Sequence, residues 1–431
     1  MLSSLFTGVS GMNANGTTLS VIGDNIANMN TVGFKGSRVA FGDVLSQSLS
    51  GAGSGSQVGR GVNVSRVSAL FSQGSLQSTE SVLDMGIEGD GFFVVSDGNA
   101  RYYTRAGQFS VDRSGNITNS DGLVVQGFIA DASGNITSSR GNLQITGTQT
   151  PSQITTKASI AVNLDATEAV KAWTFVSPSV TPPNTADYNK STTITVYDSE
   201  GGAHDVTAHF VKTGPNAWTA HYVYQNAANQ YVEAGTQNLT FNDGTAPNVG
   251  GSLATDNVAP LAFTWGGGVT ASAISFDYGT GTGDPVVGSG LDGATQFAAP
   301  FSVLTLSQDG YASGSLKSMS LSDTGVISGV FTNGQTRKIG QIALARFVAP
   351  TGLTKLGRNL YGESFDSGQP IVGTAQTSGL GRVLGNTLEQ SNIDLAQEFV
   401  QMIAAQRGFQ ANSKTITTTD ELMQELINLK R

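Results

Sequence analysis

Three histidines, His204, His209 and His221, come nearest to a ligand set in this chain. If Gly214-Pro215-Asn216 turns a hairpin, His209 and His221 fall opposite each other on neighbouring strands, near the spacing two imidazole ligands require. His204 stands an odd number of residues before His209, which puts it on the other face of an ideal strand. Two imidazoles with no carboxylate at clear spacing are a poor metal site, so the expectation is surface histidines and no bound metal. The turns Asp112 to Asn116 and Asp131 to Asn135 read Asp-x-x-Gly-Asn. They lack the further acids and the bidentate Glu of a calcium loop.

Catalytic patterns are equally sparse. The chain has no Cys, which removes disulfides, thiolate ligands and Cys nucleophiles. The nearest approach to a nucleophile elbow, Gly53-Ser54-Gly55-Ser56, is low-complexity sequence. The run from Gly51 to Gly61 offers neither a GxGxxG frame nor a Walker Lys-Ser/Thr pair. Acids are dispersed, each beside turn residues, so the expectation is no enzyme and no cofactor.

The net charge of −9 argues against a nucleic-acid partner. Between Pro151 and Ala298 there are 12 acids and 4 bases, leaving 20 acids and 19 bases elsewhere. All three His and all three Trp (Trp173, Trp218, Trp265) fall in the same block. A composition shift confined to one stretch implies an inserted domain, with most of its aromatics in a core. No apolar run is long enough to span a bilayer, and Met1 to Phe6 lacks a basic n-region. The chain is therefore expected neither to insert in a membrane nor to use a cleaved signal.

The two ends carry helical patterns. Leu2, Leu5, Val9, Met12, Leu19 and Ile26 follow steps of three and four, with Gly16 and Gly23 in the gaps. Gly8, Gly11, Gly16 and Gly23 each cost roughly 1 kcal/mol in a helix relative to Ala, so this helix needs neighbours. At the other end, Asp394 with Gln397 resembles a capping box. Leu395, Met402, Phe409, Ile416 and Met423 then recur every seven residues, supported by Phe399, Ile403 and Ile427. A helix of about 55 Å results at 1.5 Å per residue, with Lys430 and Arg431 at its negative end. Gly is 55 of 431 residues, nearly twice the usual share of about 7%, which favours tight turns. Asp112, Asp131 and the Leu321 to Ile327 run are read as hairpin loops, with Gly at the positive-φ position. The stretches Ser46 to Arg60 and Thr280 to Thr295 read as loops. The fold class is α+β, mainly β: paired terminal helices in a coiled-coil-like inner domain, with antiparallel β-rich middle and outer domains in a nested insertion.

Specific stretches then resemble the flagellar rod and hook axial proteins. Ile22-Gly23-Asp24-Asn25-Ile26-Ala27-Asn28-Met29-Asn30-Thr31-Val32-Gly33-Phe34-Lys35 is similar to that family's N-terminal signature. Gly89-Asp90-Gly91-Phe92-Phe93-Val94-Val95 and Tyr103-Thr104-Arg105-Ala106-Gly107 resemble the start of its first β-domain. Leu388 to Leu395 and Ala405 to Lys414 resemble its C-terminus, and Gly201 to Asp205 with His209 to Thr213 the hook branch's outer domain.

The resemblance implies a structural subunit of the flagellar hook, a curved, flexible tube that passes torque from rod to filament around an export channel. It divides the chain into 1–30 with 390–431, a polymerisation domain; 31–72 with 375–389, a linker; 73–147 with 299–374, a β-domain; and 148–298, an acidic outer domain. It implies other copies of the chain, a distal rod protein, a hook cap, a hook–filament junction protein and the type III export apparatus as partners, outside the cell. Phe41 and Leu45 resemble the family's export-gate element; the plainer reading is a Phe and Leu buried in the linker. The rivals are a distal-rod-type protein carrying an insertion, and a secreted β-rich adhesin that stacks glycans on its aromatics.

Overall fold

The computed structural model describes residues 2–44, 60–131, 134–145, 149–284 and 288–429. Leu45, Lys430 and Arg431, and the side chains of Leu2 and Ile427, lie outside the described residues, as do residues 46–59 of the first loop. The chain is mainly β with one helix at each end, α1 (Leu2–Ala27) and α2 (Leu395–Leu429). It divides into two compact units. The first holds residues 1–147, 317–330 and 336–431, and the second residues 148–316 and 331–335.

In the first unit, α1 and α2 pack antiparallel: Gly8 lies against Ile416, Gly11 against Asn412 and Gly408 against Asn15. Asp394 caps α2 as expected, its Oδ1 accepting from the backbone N–H of Ala396 (2.8 Å) and Gln397 (3.2 Å). A hairpin of Ser37–Asp43 and Val62–Ala69 lies beside α1. Beyond it, strands Thr336–Arg346, Val124–Ala130, Phe92–Ser96, Arg101–Thr104, Leu360–Gly362 and Thr354–Gly357 form one antiparallel sheet in that order. Its core gathers Met85, Ile87, Phe93, Val95, Ile117, Ile342 and Leu344. The hairpin loops follow the expected chemistry. Asp112 Oδ1 accepts from the N–H groups of Ser114 and Asn116, both at 2.8 Å, and Gly115 takes φ +82°. In the 321–327 turn the opening residue is Ser322, not Asp323: its Oγ accepts from Val326 N at 3.1 Å.

The second unit is two sheets face to face. One is a meander of Lys190–Tyr197, Ala203–Gly214, Ala217–Gln225, Tyr231–Phe241 and Leu253–Asp256. The other orders Leu261–Phe263, Ser272–Asp277, Lys157–Asn163 and Ser302–Gln308. Lys157–Asn163 runs parallel to Ser272–Asp277, so the expected antiparallel pairing does not hold throughout. Its antiparallel pairing with Ser302–Gln308 extends the inserted unit past residue 298 to Leu316. The acid count marks the composition of the insertion, whereas strand pairing sets its limit. Trp218, Tyr222, Phe210, Phe263, Trp265, Phe276 and Tyr278 fill the core between the sheets, as expected for these aromatics.

Candidate functional site

The helix pair is built from small residues. On α1 the buried positions are Gly8, Gly11, Ala14, Ile22 and Asn25, while Leu5, Val9, Met12, Leu19 and Ile26 are half-buried. Small residues thus supply much of the seam, with Ile22 and, across from Gly8, Ile416 of the expected heptad, because residues without bulk let two helix backbones approach closely. The apolar stripe of α2 is left largely uncovered. Leu395, Phe399, Ile403 and Phe409 are exposed, with Phe399 at 47% and Ile403 at 51%, and Met402, Ile416 and Met423 are half-buried. Phe6, Val400 and Leu422 are exposed too, lying off the sequence stripe and therefore missed by it. Apolar surface of this extent on one element is characteristic of an interaction face.

The three resembling stretches around Lys35, Arg105 and Glu389 meet in one buried ion cluster. Lys35 Nζ donates to Glu389 Oε1 at 2.6 Å, and Arg105 to Glu389 Oε2 at 3.2 Å. Glu389 Oε1 also accepts from Gly74 N (2.9 Å), and Lys35 Nζ reaches the Ser72 carbonyl (2.8 Å). Burial lowers the proton affinity of Lys35, and the Glu389 carboxylate opposes that shift. Gly33 fits here because it has φ +69° and a Cβ would stand 2.5 Å from Ala106 N. Beside the cluster, Asn392 Oδ1 accepts from Gly36 N (2.9 Å) while its Nδ2 donates to the Leu70 carbonyl (2.8 Å). One knot therefore joins the chain leaving α1, the segment 70–74, the β-sheet and the chain entering α2. Charged residues inside all three stretches were the only sequence signal for it.

One helical turn inward, Asn25 exchanges bonds of 2.9 Å with the backbone of Ser37 and donates to Glu398 Oε1 at 3.2 Å. Burial raises the proton affinity of Glu398. Phe41 is exposed rather than buried, and it borders a groove of about 370 Å³ with Thr7, Gly11, Ala14, Val62 and Asn412.

In the second unit His209 and His221 face each other in register, as the hairpin spacing predicts. They are buried, however, not on the surface. Trp173 stacks on His221 with ring centres 4.3 Å apart, and Tyr188 lies 4.5 Å from His209. Glu233 accepts from His221 Nδ1 (2.7 Å) and from Trp173 Nε1 (3.2 Å), clamping the covering segment. His204 sits apart, stacked on Trp265 and bonded to Asp198 at 2.7 Å. Among the described residues no group of three or more His, Cys, Asp or Glu has metal-binding geometry.

Four family profiles match in chain order. They are Flagella basal body rod protein over residues 5–35, Flagellar hook protein FlgE/F/G D1 domain over 86–168, Flagellar basal body protein FlaE D2 domain over 163–311, and Flagellar basal body rod FlgEFG protein C-terminal over 385–429. The chain is 36% identical to the flagellar hook protein FlgE of Borreliella burgdorferi, with all of both chains covered. It is also 36% identical to that of Escherichia coli, with 98% of each covered. The chain belongs to the flagellar hook protein family. It is a structural subunit of the bacterial flagellar hook and not an enzyme. The flagellar hook protein FlgE2 of Helicobacter pylori shares the fold: TM-score 0.53 at 16% identity, covering 73% of this chain and all of the other.

Proposed function

We propose that α1 and α2 are the assembly element of a curved, flexible hook tube, and that their uncovered apolar side chains are the subunit contacts. The reading rests on one observation: Leu395, Phe399, Ile403 and Phe409 of α2 stay exposed although α1 packs along the same helix, against Gly408, Asn412 and Ile416. Leu2, Leu5, Val9, Met12, Leu19 and Ile26 on α1, with Met402, Ile416, Met423 and Ile427 on α2, complete the contact set. Each large apolar side chain buried against a neighbour contributes roughly 1.5–3 kcal/mol.

In this reading residues 1–30 and 390–431 line the tube and its channel, 31–72 and 375–389 link them to the β-domain, and the acidic inserted unit is outermost. The tube is joined at its ends to a distal rod protein and a hook–filament junction protein, grows under a hook cap, and lies outside the cell. Export runs through the flagellar type III apparatus without a cleaved signal. Phe41, exposed beside the helix pair, belongs with Leu45 to the element that engages that apparatus.

The test is Leu5→Asp and Ile403→Asp in the full chain. Both variants keep the β-units folded by circular dichroism and fail to form tubes in electron micrographs. Tubes of normal yield from both would overturn the proposal.

A further inference from the structure

The loop 364–368 has a frame of its own. Ser364 N donates to Ser367 Oγ at 2.9 Å, Ser367 Oγ to the Ser364 carbonyl at 2.9 Å, and Ser364 Oγ to the Gly352 carbonyl at 2.6 Å. Ser367 is fully buried, and a Cβ on Gly352 would stand 2.5 Å from the Asp366 carbonyl carbon. What this frame displays is an aromatic ring in water. Phe365 is 101% exposed, and Val348, on the adjoining turn, is 82% exposed.

A ring held out by a satisfied, fixed backbone loses little freedom on docking, and buried aromatics of this kind dominate interface energies. The turn Pro350–Gly352, which follows Val348, touches the hairpin beside α1. Arg66, on strand Val62–Ala69, donates to the Thr351 carbonyl, and its neighbours Val67 and Leu70 are exposed. A hook subunit is surrounded by copies of itself. In a helical polymer those copies meet through unlike surfaces, so a knob on one finds its complement on the next.

We propose that Phe365, with Val348 on the adjoining turn, is a docking anchor that inserts into a neighbouring copy of this chain when tubes form. The anchor rests on the assembly reading above, but not on which helix faces meet.

Because the chain has no Cys, Phe365→Cys introduces a single thiol. The full-length variant is co-assembled as a minor fraction with the wild-type chain and reacted with a maleimide, with denatured chain giving total labelling. Labelling in tubes falls by about tenfold or more relative to the free subunit. Phe365→Ala keeps the wild-type circular dichroism and needs a subunit concentration about tenfold higher to polymerise, while Phe365→Leu needs less. Equal labelling of free and assembled subunits overturns the proposal, and so does Phe365→Ala polymerising at the wild-type concentration. If Ile403→Asp left assembly intact, tubes would still form and labelling at position 365 would still be read, so the two readings fail separately.

Discussion

A Cβ built on Gly11 of α1 would lie 2.7 Å from Asn412 Nδ2 of α2, the atom that donates to the Gly408 carbonyl at 3.0 Å. The relationship is reciprocal. A Cβ on Gly408 would lie 2.9 Å from Asn15 Oδ1, and Asn15 Nδ2 donates to the Gly11 carbonyl at 2.8 Å. Each Asn thus rests on the other helix's Gly while bonding to its own helix, and the two helices approach closely at both positions.

This separates the glycines of α1 by role. Gly11→Leu should part the helices and reduce the far-UV helical signal, with the β-units melting as before. At Gly16 a Cβ would meet nothing within 4 Å. Gly16→Ala should therefore gain about 1 kcal/mol of helix propensity and raise the helical signal of the free subunit. If the two substitutions change the helical signal in the same direction, the division is wrong.

Glu389 is fully buried and carries two cations. Glu389→Gln leaves Lys35 and Arg105 as buried charges without the carboxylate they share, and loss of one partner from such a set costs about 3–5 kcal/mol. Lys35→Met should cost less, because Glu389 keeps Arg105 at 3.2 Å and Gly74 N at 2.9 Å. Urea unfolding of the full chain measures both. Equal losses, or a neutral Glu389→Gln, would count against the cluster as the joint between helices and sheet.

The terminal helices and the hairpin loops were legible because their signals are local: a seven-residue recurrence, an acid before a helix, a Gly three residues after Asp. The ion cluster was not, since Lys35 and Glu389 are 354 positions apart and nothing local couples them. On α1 the periodicity marked the half-buried apolar positions and passed over the small residues that meet α2. Hydrophobic periodicity finds bulk, and Gly, Ala and Asn register as gaps in it. The burial of His209 and His221 was hidden too, because the cover around Trp173 and Tyr188 contains no regular strand to predict. Strand Ser302–Gln308 was placed outside the insertion because composition changes before the pairing does.

Asp394 fixes where α2 begins, and its cap is separable from its charge. Asp394→Ala removes both backbone bonds and should cost about 1 kcal/mol, fraying the first turn around Leu395 and Phe399. Asp394→Asn retains an acceptor and should cost less. Hydrogen exchange of the Ala396 and Gln397 amides reads this directly, and unchanged protection in Asp394→Ala would show that packing, not capping, sets the helix start.

The second unit should respond to acid through two groups of opposite sign. Burial, with His221 adding to it, pushes His209 down to about 4, and Glu233 acts the other way. A depressed histidine contributes stability that is complete above its unfolded value near 6.5 and is lost as pH falls towards 4, on the order of 3 kcal/mol in all. Asp256 is raised to about 6, chiefly by burial, with the carboxylates of Asp284 and Asp277 adding to it. Its contribution is present below its unfolded value near 3.8 and is lost as pH rises through 6, so acidification strengthens the fold at that position. The wild-type chain should therefore show a shallow pH dependence between 6.5 and 4, because the two windows overlap. Asp256→Asn should steepen the acid-side loss, and His209→Phe, which keeps a ring between Trp173 and Tyr188, should remove it. Melting temperatures of the three chains at pH 7 and pH 4.5 decide the matter: if His209→Phe loses as much on acidification as Asp256→Asn, the buried imidazole is not the group that senses the proton.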